Sequence, residues 1–248
     1  MTHTILANWK MNPKSPKEAQ LLFESTKNAV GRLRAVSIIL APPVIFLQSI
    51  TSGYKGNKIE FAAQEISLYD SGSHTGDISA EQFYNTGAQY ALIGHSECMA
   101  PLEELRVETF MALKHGLTPI VFIGEGERDE QGKYLKVVRD QIITSLKELS
   151  AGQMSDVIFC YEPVWAVGAN RAMDVYDIHA MALYIRKVLV EEHSAAIARK
   201  VQILYGGSVN IANVKSILEI EDLDGIAVGR VSTDAEKFTE LLKIANKV

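Results

Sequence analysis

Three ionisable residues of different kinds each stand just beyond a short apolar run. Glu162 follows Val157–Tyr161, His95 follows Tyr90–Ile93 and Gly94, and Lys10 follows Ile5–Ala7 by way of Asn8 and Trp9. A carboxylate between Tyr161 and Pro163 is poorly placed for ordinary solvation and could act as a general base, or it could simply open a surface loop. The segment after it carries Val164, Trp165 and Val167, apolar residues that suit a lid packing over substrate and excluding water. His95 reads either as a histidine satisfied at a strand end or as a neutral electrophile. In the second reading, a helix expected to begin near Ser96 turns its positive end on the ring and disfavours imidazolium. Lys10 could snorkel at the surface. Alternatively it could stabilise developing oxyanion charge while paired at rest with Glu97.

Other run ends are polar or glycine-rich as well: Gln64, Glu125, Gly206-Gly207-Ser208 and Gly229-Arg230. Each glycine turn alone is only a tight turn, but two at consecutive strand ends form a place where backbone N–H groups can hold phosphate. No Cys/His cluster or HxxxH-type pair supports a metal site, and a His95–Glu97 metal pair is not favoured.

The elements that must position these residues are eight short apolar runs: Ile5–Ala7, Val36–Ala41, Phe61–Gln64, Tyr90–Ile93, Pro119–Ile123, Val157–Tyr161, Val201–Tyr205 and Gly225–Val228. Each is continuously apolar, as expected for strands buried on both faces. Helical patterns lie between most of them. Ser15-Pro16 offers an N-cap with proline at the first helical position. Ser79-Ala80-Glu81-Gln82 reads as a capping box. Apolar stripes run through Ala19, Leu22, Phe23, Val30 and Leu33, through Leu135, Val138, Ile142, Leu146 and Leu149, and through Phe238, Leu241, Leu242 and Ala245. After the second run only a short helix over residues 45–50 is expected. Alternating strand and helix implies a parallel sheet. Eight units in 248 residues fit a closed (β/α)8 barrel, eight parallel strands surrounded by helices and one domain over residues 1–248. An open doubly wound sheet would carry a Gly-rich fingerprint after its first strand, where this chain has Asn8-Trp9-Lys10-Met11-Asn12.

Composition narrows the function classes. With 25 Lys+Arg against 30 Asp+Glu, a net charge of −5 and no basic stripe, nucleic acid is not an expected partner. The apolar stretch near Ile38–Leu47 is broken by Pro42 and Pro43 and is too short to span a bilayer, so no membrane role is expected. The N-terminal residues lack the features of a secretory leader. Cys98 and Cys160 form no disulfide framework, which fits a reducing cytoplasm.

Taken together, four segments resemble the triosephosphate isomerase family over essentially the whole chain: residues 8–12, 88–97, 161–168 and 205–209. The resemblance implies a TIM barrel that interconverts dihydroxyacetone phosphate and glyceraldehyde 3-phosphate without a cofactor. It implies Glu162 as the base moving a proton between adjacent carbons, and His95 as the neutral electrophile serving both enediolate oxygens. Lys10 would supply positive charge, Asn8 would position substrate and Lys10, and Glu97 would hold Lys10. Backbone N–H groups of Gly168, Ser208, Gly229 and Arg230 would hold the phosphate of a small phosphorylated sugar. A homodimer is implied through the loop Tyr69–Asp77, with Thr75 near the partner's site.

The chain departs from the family pattern in several places. Cys98-Met99, then Ala100-Pro101, stand where two arginines usually support interface and site. Phe122 replaces the usual cysteine of the fifth strand, Ala169-Asn170 replaces the usual Thr-Gly hinge, and Arg230 stands where glycine is common. These departures motivate one alternative, a paralogous isomerase of a four-carbon ketose phosphate. A second, an inactive barrel scaffold, predicts loss of residues that are present. Cys98 beside the site is a candidate for thiol modification.

Overall fold

The computed structural model describes residues 2–31, 33–98, 100–166 and 173–248. Eight strands, β1 (His3–Asn8), β2 (Val36–Ala41), β3 (Ile59–Ala63), β4 (Tyr90–Ile93), β5 (Thr118–Ile123), β6 (Ile158–Tyr161), β7 (Gln202–Tyr205) and β8 (Gly225–Val228), close into one barrel in chain order. Every neighbouring pair is parallel, and β8 returns to β1 through Thr4↔Gly225 to Ala7↔Val228. The eight runs expected from sequence therefore correspond to the eight strands, with shifted ends. β1 takes in Asn8, while Gln64 lies just past β3.

Helices cover the outside of the barrel. Pro16–Val30 begins at Ser15, whose side chain accepts from the Glu18 N–H, and buries Ala19, Leu22, Phe23 and Val30 against the sheet. Ala80–Asn85 carries the full capping box of Ser79 and Gln82. Ala235–Ala245 buries all four residues of its expected stripe. The connection after β2 is longer than expected, a helix over Val44–Gly53 that buries Phe46, Leu47 and Ile50. Its apolar face extends the run that follows Pro43, so packing carries the helix past Ile50 where polarity alone suggested a stop.

Strand alternation divides the core in two. Leu6, Ile39, Ala41, Ala62, Leu92, Ile120, Phe122, Ile158, Cys160, Leu204 and Ala227 form the inner cluster. Their sequence neighbours Ile5, Ala7, Ile38, Leu40, Phe61, Val121, Phe159, Ile203 and Ile226 pack outward against the helices. The same period of two continues past the strand ends. Two residues beyond Leu6, Ala62 and Cys160 stand Asn8, Gln64 and Glu162. The inward phase of the sheet therefore delivers polar side chains to the C-terminal mouth of the barrel, the end where this architecture places chemistry.

Candidate active site

One cavity of about 980 Å³ opens at that mouth, lined among others by Asn8, Lys10, His95, Glu97, Phe122, Glu162, Ser208, Gly229 and Arg230. Eight of the nine expected site residues thus share one space, although their strands are spread around the whole barrel. The ninth, Gly168, lies outside the described residues, as do Val167, Met99 and Ala169-Asn170.

Glu162 is seated by its surroundings. Its backbone N–H donates to the Ile123 carbonyl at 2.8 Å, and the residue is 6% exposed. Two glycines make room for it. A Cβ on Gly124 would lie 2.1 Å from the Glu162 carbonyl oxygen, and one on Gly206 would lie 3.2 Å from Glu162 Cβ. The carboxylate accepts from Ser96 Oγ at 2.7 Å through Oε2, while Oε1 lies 3.6 Å from His95 Nε2. The motif reading passed over Ser96. Its signal was only its place between His95 and Glu97, and its bond partner is 66 residues away.

His95 is 5% exposed and meets the Phe122 ring edge-on at 4.8 Å. Burial holds the imidazole below its ordinary pKa. Lys10 pushes the same way, while Glu162 and Glu97 oppose it. The helix expected near Ser96 is not there. Residues 96–98 form a turn, with the Cys98 N–H donating to the His95 carbonyl at 2.8 Å, and the helix spans Leu102–Lys114 after Pro101. A helix dipole therefore does not account for a neutral ring, because its effect is confined to about the first turn; desolvation does. The backbone N–H of Glu97 donates to Nδ1 at 3.2 Å, so Nδ1 is an acceptor and the neutral ring carries its proton on Nε2, the nitrogen facing Glu162.

Lys10 holds a left-handed backbone, φ 51°, rare for a residue with a side chain. Two bonds secure it: its N–H donates to Asn8 Oδ1 at 2.9 Å, and its carbonyl accepts from Gln64 Nε2 at 2.9 Å. Gln64 also donates to the Ala41 carbonyl at 2.9 Å, tying the ends of β1 and β2 together. Strain of this kind persists where neighbouring structure over-determines it, commonly at functional sites. The ammonium reaches Glu97 Oε1 at 2.7 Å.

Behind the start of the expected lid lies a hub that sequence reading registered only as a polar strand end. Glu125, 1% exposed, accepts from Tyr161 Oη at 2.9 Å, Trp165 Nε1 at 3.0 Å and Arg128 Nε at 2.9 Å. Burial, then the Glu125 charge, push the Tyr161 phenol well above its ordinary pKa, so it remains a donor. Val164–Ala166 forms a single 3₁₀ turn, and Ser208 Oγ donates to the Ala166 carbonyl at 3.0 Å, joining the β6 loop to the β7 loop.

Cys98 is exposed beside the site. Partial burial raises its pKa to about 11, with Glu65, Glu108 and Glu97 adding to the rise and Lys10 opposing it. Thiolate is therefore scarce at neutral pH. The loop Tyr69–Asp77 is stiffened by stacking of Tyr69 on His74, centroids 3.7 Å apart, and Thr75 is exposed. Among the described residues no group of His, Cys, Asp and Glu could hold a metal ion, and no helix is long and apolar enough to cross a membrane.

Comparison with known proteins agrees with this geometry. Residues 3–245 match the family model described as triosephosphate isomerase. A triosephosphate isomerase of Mycobacterium avium is 38% identical over 250 residues, covering 97% of this chain and 95% of its own. That of Lactiplantibacillus plantarum is 34% identical over 250 residues, covering 99% of both chains. That of Streptococcus suis is 34% identical over 243 residues, covering 96% of this chain and 97% of its own. A match this long, with a closed barrel beneath it, places the chain in the triosephosphate isomerase family.

Proposed function

We propose that the protein interconverts dihydroxyacetone phosphate and glyceraldehyde 3-phosphate, working as one barrel domain in the cytoplasm. The observation that carries this reading is the convergence of Glu162, the uncharged His95 and Lys10 on one cavity that Ser208, Gly229 and Arg230 also line. Glu162 turns from Ser96 toward the substrate and removes a proton from the carbon beside the carbonyl. Negative charge then gathers on the two substrate oxygens. The His95 Nε2–H and the Lys10 ammonium are fixed in advance to stabilise that charge, and they bind it more strongly than the uncharged ground state. His95 passes a proton between the oxygens, and Glu162 returns its proton to the neighbouring carbon. Asn8 keeps Lys10 in its strained turn, and Glu97 holds the ammonium until substrate arrives. Backbone N–H groups of Ser208, Gly229 and Arg230, joined by Gly168, hold the phosphate. Closure of the β6 loop excludes water, which protects the enediolate.

A homodimer fits the same reading. Met11 is 93% exposed and Ile45 78% exposed, just beyond β1 and β2, neighbours of the β3 strand that precedes the Tyr69–Asp77 loop, and Thr75 would approach the partner's Lys10 region. Sedimentation equilibrium should return the mass of two chains.

A coupled isomerase assay on purified wild type and Glu162→Ala tests the activity. The variant should lose roughly 10²–10⁴-fold in kcat, the range of a positioned base. An inert wild type, an undiminished variant, or a strong preference for four-carbon ketose phosphates would each overturn the proposal.

A further inference from the structure

Two departures from the expected pattern meet at His95. No helix begins at Ser96, so no helix terminus stands over the imidazole. Against the imidazole lies Phe122, the residue that replaces the usual cysteine of the fifth strand. Strand register puts it there. β4 ends at Ile93, which pairs with Val121, so Phe122 is the next residue up β5, level with the turn that carries His95. A Cβ on Gly94 would lie 3.5 Å from the Phe122 carbonyl oxygen, which marks how closely that turn approaches β5. Val121 packs outward against the helices, and Phe122 belongs to the inner cluster with Leu92, Ile120 and Cys160. Its ring is the one aromatic ring against His95 among the described residues, with centroids 4.8 Å apart and planes at 63°. Both residues are buried, and both line the cavity that Glu162 shares.

We propose that Phe122 is the positioning residue of His95 in this chain: its ring fills the space that water would otherwise take beside the imidazole, and so does by shielding what a helix terminus would do by its dipole. The inference deepens the reading above and rests on it for the use to which an uncharged imidazole is put. An imidazole in contact with water takes up a second proton readily, whereas one walled by apolar surface has nothing to solvate the added charge. Neighbouring charges do not keep the ring neutral by themselves. Glu162 at the end of β6 and Glu97 in the turn after His95 favour imidazolium, and Lys10 at the end of β1 opposes it. The Glu97 N–H on Nδ1 also resists a second proton, and it is unaltered in every variant below. With two anions against one cation, exclusion of water has to prevail. A shorter side chain at position 122 would open a gap beside two polar groups, His95 and Glu162, where a water molecule can be held.

Nitrogen-15 NMR titration of the His95 ring, assigned by its absence in His95→Gln, tests the shield together with kcat on glyceraldehyde 3-phosphate near pH 6 and pH 8. In Phe122→Cys the ring should titrate about one pH unit higher, toward the ordinary histidine value. A ring of ordinary pKa is only about one quarter neutral near pH 6. The ratio of kcat near pH 8 to kcat near pH 6 should therefore rise roughly two- to four-fold over wild type, with KM near pH 8 within about two-fold. Phe122→Val opens the same gap with a residue suited to a strand and should reproduce the shift, which keeps the test decisive if the cysteine variant folds poorly. Phe122→Leu, apolar and longer, should restore both wild-type values. Ile39→Ala truncates the same inner cluster beside the N-terminal mouth and should lower Tm without moving either readout. An unmoved His95 titration in folded Phe122→Cys or Phe122→Val would overturn the shield. An equal shift in Phe122→Leu would assign the effect to the aromatic contact itself, and one in Ile39→Ala to general loosening of the barrel; either would overturn it too. The expected shift in a protein whose wild type does not turn over triose phosphates would leave the shield standing and remove the proposed activity instead.

Discussion

The two mouths of the barrel are built from the same eight strands and are chemically unlike. At the N-terminal mouth a cavity of about 270 Å³ is lined by Thr4, Ser37, Tyr90, Thr118 and Gln202 among others. Polar groups there serve one another: Thr4 Oγ1 donates to Gln202 Oε1 at 3.3 Å, and Tyr90 Oη donates to Glu60 Oε2 at 3.1 Å. At the C-terminal mouth a carboxylate and an imidazole are buried side by side, and a lysine holds a left-handed backbone. The difference teaches where this fold spends stability. One end closes the barrel with short, mutually satisfied contacts. The other keeps Glu162 and His95 out of water at a cost, which suits the charge that the proposed reaction develops.

Substitutions at the two ends should therefore separate activity from stability. After Glu162→Ala, the largest effect is expected from Lys10→Met, which removes the fixed cation. kcat/KM should fall about 10²–10³-fold, on the order of 3–4 kcal/mol of transition-state stabilisation, in the coupled assay. A fall of less than ten-fold would dissolve the contrast between the mouths. Next, Glu125→Gln strips the charge that Arg128, Tyr161 and Trp165 share at the base of the β6 loop. Denaturant unfolding should show a loss of about 2–3 kcal/mol, because Arg128 keeps only the half-exposed Asp177 at 3.5 Å as a carboxylate partner.

Glu108 sharpens the comparison through pH. It is 6% exposed on the helix Leu102–Lys114, and burial, then Glu65 and Glu104, raise its pKa to about 8. The folded state keeps a proton that the unfolded chain releases near pH 4.5, so stability falls as pH rises from about 4.5 to about 8. Glu108→Gln removes that dependence. It should raise stability by on the order of 2 kcal/mol at pH 9, a shift of several degrees in Tm, with little gain at pH 5. An equal gain at both pH values would mean the buried carboxyl is not the cause. The smallest effect belongs to the opposite mouth. Thr4→Val should cost about 0.5–1 kcal/mol of stability and leave kcat/KM at the wild-type value.

Much of this arrangement was legible in the chain. Glu162, His95 and Lys10 stood out because each breaks an apolar run at its end, and strand alternation is a local property that repeats every two residues. The ends of β1 and β3 slid by a residue or two because pairing with a neighbour, not local composition, decides where a strand stops. A helix is expected near Ser96, whereas the helix begins at Leu102, directly after Pro101. The bonds that Ser96 and Gln64 make to Glu162 and to the Lys10 and Ala41 carbonyls were not legible, because a single hydroxyl or amide carries no signal of a distant partner.

The sequence by itself determined eight repeating strand and helix units and the polar residues at their ends, since these follow from local pattern, and four motifs carried the resemblance to the family. Only the tertiary structure decided that residues 10, 95 and 162 face one cavity, that desolvation and not a helix end keeps His95 uncharged, and that the Phe122 ring lies against it. Those outcomes depend on barrel closure, which brings together groups far apart in the chain and removes water from between them, and no local pattern encodes either event.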